Sequence, residues 1–311
     1  MNDLHLREAD RLEVLSLVDN YTDIFQSQNT KIDRRPMIPP PFSVLAEHGL
    51  SCFLKVTAGS EEHLVLFDSG LSAECLFHNV KLLKVDLDGI ESIVLSHGHY
   101  DHTGGLLELL GHTPKKTPLV LHPDVFLNRR LKNPMLNYTI DLPSLDEQTI
   151  MKAGAEIIKS RGPSTLASGL IMVTGEVERT TPFEKGFPTM EAKINGNWVV
   201  DPFNDDQAII VNLKGKGLVI VGGCSHAGII NTIRYAKNIT NIDKVYAVLG
   251  GFHLTGPLFE PIIGVTIDEM VKINPDYVVP MHCTGWNAVN QFKEKMPKQV
   301  IINTVGTCYT F

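Results

Sequence analysis

The sequence predicts an α/β fold. Short apolar runs of strand length, rich in Val, Leu, Ile and Phe, recur along the chain, and helical stretches separate several of them. Histidines and aspartates stand at the ends of such runs in both halves of the chain. Sites in sheet proteins commonly gather at one end of the strands, so this pattern suggests two halves feeding one site.

The elements follow in order. LEVLSLVDN, LSCFLKVTAG and HLVLFDSG, within residues 12–70, read as strands closed by turn residues. IESIVLS, residues 90–96, is a further strand. Gly104-Gly105 then opens the helix-like LLELLG, and PLVLHP follows as a strand capped by His122 and Pro123. From about 128 to 201 the chain reads as an insertion, placed to cover a pocket or to form a surface excursion with no role. It holds one helical candidate, SLDEQTIMKAGAEIIKS, stopped by Gly162-Pro163, and loops around TTPFEKGFPT. In the last third, QAIIVNL and GLVIVGG flank the hairpin sequence Lys214-Gly215-Lys216-Gly217. A helix over 227–238, the strand KVYAVLGG, a helix over 266–273 and the strand DYVVPMH complete the pattern, with no sequence repeat.

Composition bounds the function. The chain has 311 residues, 43% of them hydrophobic, enough for a substantial core in one large domain or two small ones. A net charge of −7 with no Lys/Arg-rich block argues against nucleic-acid binding. An anionic substrate would have to be attracted locally, most simply by metal cations. The five cysteines are scattered, odd in number and never spaced C-x-x-C, which fits a reducing cytoplasm. No apolar run approaches the roughly 18–20 residues of a membrane helix, and the charged amino terminus lacks a signal peptide's apolar stretch. The expectation is a cytoplasmic protein with no membrane partner.

SHGHYDHTGG, Ser96 to Gly105, carries the chemistry. It packs His97, His99, Asp101 and His102 into six positions directly after a strand. Imidazole and carboxylate are the usual nitrogen and oxygen ligands of zinc, and histidine also suits iron. His97 and His99 share a side in an extended segment. A turn at Asp101-His102 can direct that pair to a second ion, while Gly98 lets the backbone bend between ligands.

H-x-H-x-D-H after a strand resembles the motif of the metallo-β-lactamase superfamily, and the resemblance covers most of the chain. It implies a four-layer αββα sandwich of two mixed sheets flanked by helices, spanning 1–311 as one domain with the insertion at 128–201. FDSG, ending at Gly70, looks like the family's strand ending in Asp-x-Gly, with Asp68 as a support behind the ligands. PDYVVPMHC looks like its late strand ending in a ligand histidine, His282. GLVIVGGCSHAG stands where many members have a strand ending in Gly-Asp; the bridging carboxylate is missing and His226 stands nearby. FNDDQAII, with Asp205 and Asp206, replaces the usual Gly-His-Thr-Pro-Gly element, and the GHTP at 111–114 lies too early to serve. The combination DDQA, GGCSHAGI, LGGFHL and MHCTG is similar to the subgroup of the archaeal dihydropterin–ribofuranosylaminobenzene 5′-phosphate synthase.

On this resemblance His97, His99 and His226 would hold one ion, and Asp101, His102 and His282 a second. Zinc is the default, with iron, manganese or magnesium open and one or two ions per chain. The expected activity is a metal-dependent hydrolase acting on an ester, phosphoester or similar bond of a small, possibly phosphorylated molecule, Asp101 orienting the attacking water or moving its proton. The alternative is a transferase joining a dihydropterin diphosphate to a ribofuranosylaminobenzene phosphate. Further alternatives are a ligand sensor and a serine hydrolase, because Gly223-Cys-Ser225-His226-Ala227 sits between a strand and a helix as a nucleophile elbow would. His253 and Asp206 are candidates for substrate contact, or, for Asp206, for the missing acidic ligand. Cys224 and Cys283 read as packing residues, and His5, His48, His63, His78 and His112 as surface or packing histidines.

Overall fold

Side-chain alternation decides how the strands stack. In Gly217–Gly222, Val219 and Val221 enter one apolar cluster while Leu218 and Ile220 enter another. Ala208–Leu213 splits the same way, with Ile209 and Val211 on one face and Ile210 on the other. Strands apolar on both faces must be covered on both. The computed structural model, which describes residues 5–26, 30–114, 116–133 and 138–311, meets this with four layers, helix on sheet on sheet on helix.

Among the described residues the first sheet has eight strands. Its order is Ala155–Lys159, Thr117–Leu121, Ser92–Val94, Glu61–Phe67, Ser51–Ala58, Arg11–Val18, Cys308–Thr310 and Asp33–Arg34. The second has seven: Ser164–Leu166, Ile171–Val173, Ala208–Leu213, Gly217–Gly222, Val245–Gly251 and Tyr277–Met281 in order, with Glu8–Ala9 also paired to Ala208–Leu213. Each is mixed. An antiparallel hairpin leads into parallel strands in both, at Glu61–Phe67 in the first and Gly217–Gly222 in the second.

Leu54, Val65, Phe67 and Val94 of the first sheet pack against Val211, Val219, Val221 and Leu249 of the second. Each such side chain contributes about 1.5–3 kcal/mol on burial. Outside the second sheet lie the helices Ile229–Thr240, Ile263–Ile273 and Trp286–Lys295, through Ile233, Ile267 and Phe292. Ala73–Leu83 and Leu106–Leu110 cover the first, through Leu76 and Leu109. Ala73–Leu83 starts at Ser72, whose side chain accepts the Cys75 N–H, and stops at Lys84 in the left-handed conformation. No helix among the described residues is long and apolar enough to cross a membrane.

One expected element differs. The helix read over 144–160 covers only Glu147–Ala153; Gly154, at φ 118°, ends it, and Ala155–Lys159 pairs in parallel with Thr117–Leu121. The apolar residues of AEIIK satisfy a strand as readily as a helix, and an unpaired sheet edge decides between them. Within 128–201, Arg129–Asn133, Tyr138–Asp141, Met190–Ile194 and Asn197–Val200 also form a separate four-stranded antiparallel sheet.

Register brings the strand ends level. Phe67 pairs with Val94, Gly222 with Gly250, and Gly251 with Met281. Asp68, His97, Cys224, His253 and His282 therefore all follow strand ends at one edge of the sandwich. There the two sheets approach closely: a Cβ on Gly223 would lie 2.2 Å from Ser96 Oγ. Gly223→Ala should destabilise the fold by about 1–3 kcal/mol in denaturant unfolding, since a methyl group must displace Ser96. An unchanged midpoint would mean that the two strand ends do not meet as described.

Candidate metal centre

The loop after Ser92–Val94 is held from beneath. Gly98 donates its N–H to Asp205 Oδ2 at 2.9 Å, and Asp205 Oδ1 accepts from Arg129 Nη2 at 2.7 Å. Arg129 Nε donates to Asp201 Oδ2 at 2.6 Å, so a buried guanidinium joins two buried carboxylates under the loop. A Cβ at position 98 would lie 2.4 Å from the Val125 carbonyl oxygen, so only glycine fits there. His99 then precedes the one-turn helix Tyr100–Thr103, which carries Asp101 and His102.

Two groups of side chains converge at this edge. His97, His99 and His226 form one; Asp101, His102, Cys224 and His282 form the other. Within each, the potential ligand atoms lie within 4.8 Å of one another. An ion about 2.0–2.3 Å from each ligand keeps any two of them within roughly 4.6 Å. His226 and Cys224 also form a third such group with His253, which links the first two.

Hydrogen bonds settle which ring nitrogens face inward. Ser96 Oγ donates to Asp68 Oδ2 at 2.7 Å, so it can only accept from His97 Nδ1 at 2.9 Å. That leaves His97 Nε2 a lone pair with no hydrogen-bond partner. His102 Nδ1 lies 2.7 Å from the same Asp68 oxygen, while its Nε2 sits 3.1 Å from Cys224 Sγ and 3.7 Å from Asp101 Oδ2. Asn20 Oδ1 accepts the Gly49 N–H and so also accepts from His282 Nδ1 at 2.9 Å. His282 Nε2, 3.2 Å from Asp101 Oδ2, is outside hydrogen-bond geometry. His99 Nε2 and His226 Nδ1 are likewise buried and unpartnered. Buried polar atoms without partners are costly unless something else binds them. A metal-ligating imidazole whose other nitrogen is anchored is the matching arrangement.

Electrostatics point the same way. Burial and the neighbouring imidazoles hold His97 well below its ordinary pKa. Burial does the same for His99, reinforced by Arg129, and for His226, reinforced by His253 and His99. All three are therefore neutral, as ligands must be. At His102 burial opposes charge, but Asp68 and Asp101 outweigh it and raise the pKa to about 9. Burial would raise Asp101, yet His102 and His282 hold it well below the carboxylate range. The backbone is strained at the same edge: Asp68, Ser225, His253 and His282 all have φ between 45° and 60°. Such residues cost on the order of 1–3 kcal/mol each and cluster at functional sites.

The remaining candidates divide. His253, half-buried with Nδ1 unpartnered, packs its ring against His226, Phe187 and Phe259 at 4.3–5.3 Å. Asp206 accepts the Ala227 N–H at 2.9 Å and so fastens the loop carrying His226; burial raises its pKa to about 7. Ser225 donates to the Gly251 carbonyl at 2.8 Å, and no histidine bonds its hydroxyl among the described residues, so the serine-nucleophile arrangement is absent there. His122 caps the turn Pro123–Phe126 and faces Glu176 at 3.0 Å. Cys224, read from sequence as packing, stands among the potential ligands. Its signal was present, because it occupies the place of the missing carboxylate. His48, read as a surface or packing residue, has Nε2 3.5 Å from Asp101 Oδ2 and its ring against His282. No motif announces it.

Comparison with known proteins agrees with this architecture. A family model described as the metallo-beta-lactamase superfamily matches residues 51–222. The chain is 36% identical over 256 residues to 7,8-dihydropterin-6-methyl-4-(beta-D-ribofuranosyl)-aminobenzene-5′-phosphate synthase of Methanocaldococcus jannaschii, covering 80% of this chain and 85% of the relative. It is 33% identical over 249 residues to an uncharacterized protein of the same archaeon, covering 80% and 88%. The fold is similar to the crystal structure of Tm1679, a metal-dependent hydrolase of the beta-lactamase superfamily, at TM-score 0.73 and 23% identity over 96% and 98% of the two chains. It is also similar to YhfI from Bacillus subtilis, a metallo-beta-lactamase fold protein, at TM-score 0.51 and 12% identity over 97% and 100%.

The raised pKa of His102 makes metal uptake pH-dependent. Below about pH 9 the metal-free protein carries a proton that an ion at His102 must displace. Zinc affinity should therefore rise at least tenfold per pH unit between about pH 6 and 8 in competition titrations. Asp68→Asn removes the charge that holds this proton and should lower the slope by about one unit. A wild-type affinity independent of pH would contradict this protonation.

Proposed function

The chain belongs to the metallo-β-lactamase superfamily, and from that premise we propose that it is a metal-dependent transferase joining a dihydropterin diphosphate to a ribofuranosylaminobenzene phosphate. The observation that carries this is the 36% identity to the archaeal synthase across 80% of this chain and 85% of that one. A new bond forms from the amino nitrogen of the aminobenzene to the pterin methylene carbon. The carbon–oxygen bond to diphosphate breaks, its electron pair leaves with the diphosphate, and the displaced proton passes to solvent.

His97, His99 and His226 are proposed to hold one divalent ion, and Asp101, His102 and His282 the other, with Cys224 between them. When bound, such ions would supply positive charge to the diphosphate oxygens of the leaving group. The nitrogen-rich donor set with a thiol suits zinc or iron better than magnesium. Asp68 and Asn20 orient His102 and His282, and Asp101, kept anionic, anchors its ion rather than serving as a base at neutral pH. In this reading the chain acts as one unit, and part of 128–201 covers the site, because Phe187 lies against His226 and His253. His253 would meet the substrate there, while Asp206 supports a loop. All five cysteines are free, which supports a cytoplasmic setting.

Hydrolysis is the second reading. Its support is His48, whose side chain is 58% exposed beside Asp101 and leaves that flank reachable by water.

Metal-loaded protein incubated with both proposed substrates should yield the joined product by mass spectrometry. His97→Ala and Asp101→Ala should each cut the rate at least about 100-fold, and metal analysis should show fewer bound ions than in wild type. Release of diphosphate with water as the sole acceptor would replace the transferase by the hydrolase. Full activity in protein without bound metal would remove both.

A further inference from the structure

A cavity of about 320 Å³ opens beside the metal centre, lined in part by Asn20, Tyr21, His48, Thr255, His282 and Trp286. We propose that it receives a flat, uncharged aromatic or heteroaromatic ring of the substrate, held against Trp286 and Tyr21. This rests on the transferase reading above, whose two substrates each carry such a ring, and adds where a ring is held and the residues that select it.

Continuity with the centre comes first. His282 belongs to one of the two groups of potential ligands and also lines the cavity. His48, another wall, reaches to 3.5 Å from Asp101. A molecule in the cavity therefore touches the edge of the site where bonds would change. The volume lies at the lower end of the range for small-molecule sites.

The wall chemistry selects the ring. Trp286 begins the helix Trp286–Lys295 and remains 52% exposed, although a bare indole face is among the more costly surfaces to leave in water. Its ring meets that of Tyr21 edge-on, with centroids 4.9 Å apart and planes at 89°. Tyr21 donates its hydroxyl to Asp23 at 3.0 Å, so its polar end is tied and its ring body stays in the wall. Two aromatic rings at right angles form a corner that a third flat ring can fill by stacking on one and meeting the edge of the other.

Charge excludes the obvious competitor. None of the cavity-lining residues is lysine or arginine. The acidic one, Asp19, is buried, and its carboxylate accepts from Asn20, His282 and Asn303. Away from the proposed ions a phosphate placed here would meet no lysine or arginine, whereas a neutral ring needs none.

Trp198 and Trp286 are the two tryptophans of the chain, and Trp198 lies under the Arg130 guanidinium, outside the cavity lining. Trp198→Phe thus makes Trp286 the sole indole reporter. Its emission should be quenched saturably by 6-hydroxymethylpterin and by phenol, but not by cyclohexanol or inorganic phosphate. By calorimetry, Trp286→Ala and Tyr21→Ala should each weaken pterin binding about 3- to 10-fold with metal content unchanged. Trp286→Phe should recover most of the loss. Equal pterin affinity in Trp286→Ala, cyclohexanol binding as tightly as phenol, or phosphate displacing pterin would each overturn the assignment. Ring binding without turnover would count against the proposed reaction and leave the cavity assignment standing. Turnover with an unchanged KM in Trp286→Ala would do the reverse.

Discussion

The buried carboxylate of Asp68 is the interaction on which the site depends. It accepts the backbone N–H and hydroxyl of Ser96 and faces His102 Nδ1, all at 2.7 Å. One side chain thereby ties the end of Glu61–Phe67 to the end of Ser92–Val94 and fixes the proton positions of two histidines, His97 through Ser96 and His102 directly. Asn20 does the same for His282 from the opposite side. At His97, held neutral, the outward hydrogen bond leaves an inward-facing lone pair, because a neutral imidazole has one donor and one acceptor. At His102 the inward nitrogen is freed once the proton held by Asp68 and Asp101 is lost.

Such an edge is unfavourable as a purely structural feature. It gathers imidazoles, three of which burial keeps neutral with the help of neighbouring charges, leaves five imidazole nitrogens unpartnered among the described residues, and holds four residues in the left-handed backbone region. Sandwich packing beneath it supplies the compensation. Valines, leucines and isoleucines of both sheets are fully buried between them, and the covering helices bury both outer faces. A ligand that binds only the folded chain adds to that stability by an amount that grows with the logarithm of its affinity.

Departures from the superfamily pattern also acquire a physical content. Where a carboxylate would end Gly217–Gly222, Cys224 presents a sulfur 3.1 Å from His102. Where a glycine-rich histidine element would precede Ala208–Leu213, Asp205 and Asp206 take up backbone N–H groups instead. Asp205 holds the loop of His97 and His99, and Asp206 that of His226. Both aspartates hold loops of the centre, Arg129 balances the charge of the first, and the second keeps its Oδ1 buried without a partner.

The sequence alone determined what depends on local spacing. The apolar run over residues 217–222 marks a strand, and four potential ligands within residues 97–102 must lie close together where the strand of residues 90–96 ends. The strand-closing positions of Asp68, His226 and His282 could be read because each follows an apolar run. Tertiary structure alone decided the rest. His48 and Asn20 reach the centre, and Trp286 the cavity beside it, from segments far apart in sequence, and no local period encodes such a meeting. AEIIK is a strand because an edge of the first sheet was free to pair with it, a fact absent from those five residues. Cys224 faces His102 with its sulfur for the same reason: pairing of neighbouring strands, not composition, set where its strand ends and which atoms it faces.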